Sequence, residues 1–160
     1  MRKFLLDNAL KSTVGNVVVN TIIPFLLLLS APFVNLKGPT PNLLSVLVPG
    51  VFVSGLMTTI VTFGVMTAQR KAGVLASALP AGTRWFPKAL LNGIGIGLLF
   101  AVPVLLLILA LQATRANVEL SKTLVIGVST LVGGLTGLLS SLVASKRAAK
   151  LTAPLTANLL

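Results

Sequence analysis

Of the 160 residues, 55% are hydrophobic and 9% charged, against roughly 25% charge in soluble domains, so most of the surface must face something apolar, and lipid is the candidate. Thirteen basic residues against two acidic ones give a net charge of +11; on a soluble chain that would point to nucleic acid, but here it reads as a one-sided membrane bias, and no nucleic acid is implied. There is no Cys, His or Tyr, which excludes disulfides and thiolate metal sites. Asp7 and Glu119 are the only carboxylates.

The charges delimit the spans. No ionisable residue falls between Lys11 and Lys37, Lys37 and Arg70, Lys88 and Arg115, or Lys122 and Lys146. Each interval exceeds the ~20 residues that an α-helix needs to cross about 30 Å of hydrocarbon. The pattern predicts an all-α polytopic membrane protein with four transmembrane helices, since lipid cannot satisfy free backbone groups and no period-2 alternation suggests a barrel.

Met1–Thr13 reads either as an interfacial amphipathic helix, with Lys3, Asp7 and Lys11 on one face, or as the solvated first turns of span one. Arg2 and Lys3 ahead of an apolar run resemble a signal peptide, but the run is too long and starts too late, so span one is expected to be retained. That span covers roughly 14–34. Asn16 and Asn20 share a face, and Pro24 is expected to kink it. Gly38, Pro39 and Pro41 mark the first outer turn.

Span two, roughly 43–67, carries Gly50, Ser54, Thr58 and Thr62 at four-residue spacing. The connector Gln69–Lys88 holds Arg70, Lys71, Arg84 and Lys88, with Trp85 and Phe86 as interface anchors and Pro87 in the first turn of the next helix. Span three, roughly 88–112, carries Asn92 near its start and Gly93, Gly97 and Ala101 as a small-residue row. In the second outer loop Asn117 is the expected N-cap of the last helix, with Glu119 in its first turn. Span four, roughly 122–145, carries Ser129, Gly133, Gly137, Ser141 and Ser145 at four-residue spacing and ends on Lys146 and Arg147.

The two halves look alike. The segment 20–29 (NTIIPFLLLL) resembles 99–108 (LFAVPVLLLI), and 68–73 (AQRKAG) resembles 144–149 (ASKRAA). The chain is therefore read as one membrane domain over 1–160: a hairpin over about 1–75, a second over about 84–150, and an apolar tail at 151–160. As a parallel repeat the halves would be related by an axis along the membrane normal. The alternative is chance similarity between apolar segments.

With both termini on one side, that side holds ten of the thirteen basic residues, which places the termini and the connector in the cytoplasm. Lys11, Arg70, Lys71, Arg84, Lys88, Lys146 and Arg147 are then expected at anionic headgroups, each worth about 1 kcal/mol.

The spans hold no titratable group and no activating base, so neither catalysis nor ion-coupled transport is expected, and no cofactor or metal is implied. A small multidrug exporter would need an acidic residue in its first span, and a fluoride channel a different Thr/Ser-Phe pattern and dual topology. Two constellations remain. Gly93/Gly97 and Gly133/Gly137 suit close helix packing, either within the bundle or with a partner helix or second copy. Asn16, Asn20, Asn92, Thr62, Ser140 and Ser141 lie at similar depth in the cytoplasmic third. They form either interhelical hydrogen bonds or a cytoplasm-facing site for a polar group.

The opening MRKFLLDNALKSTVGNVVVN, the second span ending at Arg70–Lys71, and the short third and fourth spans resemble small four-span bacterial membrane proteins. The resemblance implies a bacterial inner membrane and no particular activity. Two functional expectations follow. One is a non-catalytic scaffold or accessory subunit acting through helix packing and lipid contact, alone, with other membrane subunits or as a homo-oligomer. The other is a small uncoupled channel or transporter built on the Asn cluster; a holin is a third, suggested by size and the basic end.

Overall fold

The computed structural model describes residues 2–39, 41–75 and 84–150; the tail at 151–160 and the middle of the connector lie outside them. Four helices, α1 (Arg2–Leu27), α2 (Leu43–Lys71), α3 (Trp85–Thr114) and α4 (Lys122–Lys150), are each long and apolar enough to cross a membrane. α1 is continuous from Arg2 onward, so the N-terminal segment is the first turns of span one rather than a separate helix, and Asn8 and Ala9 within it are buried.

Local chemistry sets the helix ends. Asn42 and Ser45 form a capping box on α2: the Ser45 N–H donates to Asn42 Oδ1 at 2.9 Å, and the Asn42 N–H donates to Ser45 Oγ at 3.1 Å. At the other end Gly73 takes φ +71° and its N–H donates to the Arg70 carbonyl, a left-handed stop that favours glycine. α4 departs from expectation. Ser121, not Asn117, meets its first turn, accepting from the Leu124 N–H at 3.3 Å. Asn117 instead accepts from the Lys37 N–H, because 119–121 is drawn into a strand.

Two short strands, β1 (Phe33–Asn35) and β2 (Glu119–Ser121), pair antiparallel with Val34 opposite Leu120. Three-residue strands leave no legible alternation, so the ladder escapes sequence analysis. It joins the two outer loops, with Gln112 Nε2 donating to the Leu36 carbonyl at 2.6 Å as a further tie. Beneath it Leu28, Val34, Leu36, Leu43, Leu47, Ile108 and Val125 form an apolar plug.

The halves do not close as separate hairpins. α1 packs chiefly on α4, and α2 packs on α3 and α4, whereas the sequential pairs α1–α2 and α3–α4 touch little. Exchanging the halves maps α1·α4 onto α3·α2, and maps α2·α4 and the ladder onto themselves, as a two-fold axis along the bundle would. α2 and α4 thus form the centre, with α1 and α3 on opposite flanks.

The glycines explain the flanks. A Cβ on Gly97 would lie 2.8 Å from the Phe52 carbonyl, and one on Gly55 would lie 2.9 Å from Gly97 Cα, so α2 and α3 cross backbone to backbone. Gly93 sits as closely on Leu56. On the other flank Gly133 and Gly137 receive side chains rather than backbone: Cβ atoms there would collide with Asn20 and Asn16 respectively. Both glycine pairs are therefore occupied inside the bundle.

Candidate functional site

α1 carries a polar residue on every turn of one face: Asn8, Ser12, Asn16 and Asn20. Asn16 Nδ2 donates to the Ser12 carbonyl at 2.8 Å and to Thr58 Oγ1 at 2.7 Å. Asn20 Nδ2 repeats the pattern one turn on, donating to the Asn16 carbonyl at 2.9 Å and to Ser54 Oγ at 2.7 Å. Asn8 Nδ2 reaches Ser141 Oγ at 3.1 Å and Thr62 Oγ1 at 3.4 Å. The amides of Asn16 and Asn20 thus cross the surface of α4 to hydroxyls of α2 where Gly137 and Gly133 leave room for them, and the Asn8 amide bridges hydroxyls of α4 and α2.

The amide orientations follow from this. Backbone carbonyls only accept, so the atoms of Asn16 and Asn20 that meet Ser12 O and Asn16 O must be nitrogens. Each NH₂ then has both protons committed, and each Oδ1 is left facing the other way. Among the described residues these oxygens accept no hydrogen bond, and that of Asn20, a buried residue, is not sealed off. Asn20 Oδ1 points toward Gly50, where a Cβ would lie 3.1 Å away.

The oxygens open on a cleft of 870 Å³ between α1 and α2. It runs from Asp7, Lys11 and Gln69 at the basic end to Leu27 and Ser45 near the ladder. From Asp7 to Leu27 is about 30 Å at 1.5 Å per residue, the full hydrocarbon thickness. Most of its lining is apolar, with Val19 and Ile23 on α1 and Val53, Met57 and Val61 on α2, and into it come Asn8, Ser12, Asn16, Asn20, Ser54 and Thr58 as a polar strip. Several wall residues, Val53 and Met57 among them, also form the outer surface, so the cleft opens sideways along the flank of the bundle.

Not every expected member joins. Thr62 and Ser141 meet Asn8. Ser140 is buried but its Oγ has no partner. Asn92 is elsewhere: it is exposed, donating to the Lys88 carbonyl and accepting from Arg147 Nη1 at 3.0 Å. Equal depth did not bring it to Asn16, because α1 and α3 flank opposite sides of the central pair. Asn8, Ser12, Ser54 and Thr58 belong to the cluster although the depth argument passed them over. Their signal was the unbroken four-residue spacing on α1 and α2.

Among the expected headgroup contacts, Lys11, Lys71, Arg84, Lys88, Lys146 and Arg147 are exposed at the basic end, with Lys11 paired to Asp7 at 2.8 Å. Arg70 is a correction. It is 7% exposed, lies between α2 and α4, and donates from Nη2 to the Ala148 carbonyl at 3.2 Å. Arg70 continues the buried face of α2 that runs through Phe63, Met66 and Thr67, which takes it off the rim, and its Nε has no partner.

Compared with protein-family models, curated proteins and solved structures, the chain matches none.

Proposed function

We propose that this chain is a non-catalytic protein of a bacterial inner membrane, with its basic end in the cytoplasm, that guides the polar heads of amphiphiles across the bilayer along the α1–α2 cleft. The observation that carries this reading is the row of amides and hydroxyls that runs from Asn8 to Asn20, about 18 Å at 1.5 Å per residue, along a cleft as long as the hydrocarbon is thick and open to its side. A polar head entering lipid unaided loses its hydrogen bonds at a cost of several kcal/mol. Successive groups about 6 Å apart replace those bonds, while the tails stay outside against Val53, Met57 and Val61. Of the chain's two carboxylates, Asp7 stands at the basic mouth paired to Lys11 and Glu119 lies in β2, so none stands along the row between Asn8 and Asn20, and the passage is read as an equilibrating one without a driving ion.

The accessory-subunit reading loses its main support, because Gly93, Gly97, Gly133 and Gly137 are filled from within the bundle. The test is reconstitution into liposomes bearing a tail-labelled fluorescent phospholipid, with a membrane-impermeant reductant added outside. Guided passage bleaches label from both leaflets. Bleaching that halts at half, as in protein-free liposomes, would overturn the reading.

A further inference from the structure

Resting on that passage, we infer that the cleft selects heads that donate hydrogen bonds, and specifically the primary ammonium group, over quaternary ammonium and anionic heads. The argument is an accounting of donors and acceptors. An amide NH₂ has two protons, and both are committed in Asn16 and Asn20. What these side chains present to the cleft is oxygen alone. Two prolines add to it: Pro24 and Pro49 cannot donate, so the carbonyls of Asn20 and Ser45, four residues earlier, lose their intrahelical partners, and all four residues line the cleft. The floor between the mouths is thus rich in acceptors and holds no cation.

A primary ammonium carries three donors and stays charged at neutral pH. Neutral carbonyl oxygens can stand in for its hydration shell, as they do for ions in selective pores. The spacing suits it. Oxygens on successive turns are about 6 Å apart, so a nitrogen midway reaches both at about 3 Å, within hydrogen-bond range, and hands over from Asn16 to Asn20 without an unbonded interval. A trimethylammonium head has no proton to give. A phosphate or sulfate head without an amine meets only oxygen lone pairs.

Two measurements test this on the intact chain. In detergent, dodecylammonium is expected to raise the melting temperature of the wild-type protein, and dodecyltrimethylammonium and dodecyl sulfate are not; equal shifts from the two cations would sink the proposal. In liposomes, tail-labelled phosphatidylethanolamine is expected to cross at least tenfold faster than the phosphatidylcholine and phosphatidylglycerol analogues. Adding propylammonium separates the sources: competition shows that the ammonium group alone is recognised, and no competition shows that the lipid-borne head is required. Equal crossing of all three lipids overturns the selectivity and leaves the passage standing, whereas no crossing of any lipid overturns the passage itself. Asn16→Leu and Asn20→Leu should erase the difference between heads. Should either variant fail to fold, the wild-type detergent series decides alone.

Discussion

Asn20 of α1 donates to Ser54 of α2 at 2.7 Å across a dip in α4 that exists because residue 133 is glycine. One side chain therefore links three helices and, with its oxygen, also faces the cleft. Packing and the proposed passage converge on it.

Asn20→Leu removes the bond to Ser54 and the acceptor together. Interhelical bonds of this kind average about 0.6 kcal/mol in membranes, so the melting temperature should fall by only a few degrees. Lipid passage should fall at least tenfold. A variant that melts lower but moves lipid at the wild-type rate would assign Asn20 to packing alone.

Gly133→Ala and Gly127→Ala make a matched pair. Both replace a helical glycine, which by propensity gains about 0.5–1 kcal/mol. At Gly127 nothing lies within 4 Å of the new Cβ, so thermal unfolding in detergent should show that gain. At Gly133 the Cβ meets the Asn20 side chain, and overpacking of about 1–3 kcal/mol should outweigh it. Equal shifts would mean that Asn20 is not held against α4.

Arg70→Met tests a buried charge with no carboxylate beside it among the described residues. Its recorded bond is to the Ala148 carbonyl, and its Nε is unpartnered. An apolar side chain of similar length avoids that desolvation cost. The melting temperature should hold or rise by a few degrees, whereas Lys71→Met on the exposed surface should leave it unchanged. A marked drop for Arg70→Met would show that its cation is compensated.

Phe33 and Ser121 face each other across the ladder, where opposed Cβ atoms lie about 4.5–5.5 Å apart. With no native cysteine to compete, a Phe33→Cys/Ser121→Cys pair should oxidise within one chain and raise the melting temperature. In intact cells an impermeant maleimide should reach either cysteine singly, but not a cysteine at position 71. The reverse labelling would invert the proposed orientation.

Passage should vary little between about pH 5 and 8, the window in which histidine is the side chain that ordinarily titrates, because the chain has none. A bell-shaped rate profile in that range, measured in liposomes, would contradict an uncoupled conduit.

Much of this was legible in the chain. Charge-free intervals predicted the spans, and the four-residue rows predicted which faces turn inward. What the rows could not specify was the partner of each face. Gly93 and Gly97 meet backbone, whereas Gly133 and Gly137 meet amides, and one small-residue pattern serves both. Asn92 went astray for the same reason: depth along a helix is set by sequence, but the side of the bundle is set by which helices pair. Arg70 was misplaced because a basic residue at a helix end is ordinarily solvated, and only its contact with Ala148 shows otherwise.

The plug beneath the strands takes in Leu28, the residue that follows α1. At the basic end the apolar cluster of Phe63, Met66, Ala89, Ile96, Ala144 and Ala148 draws on α2, α3 and α4 but not on α1. Between these ends α1 is keyed to α4 at Thr21–Thr130, Asn20–Gly133, Val17–Gly134 and Asn16–Gly137. A rod notched into its neighbour turn by turn has a fixed register, so a slip of one residue along α4 would unseat every one of those notches together.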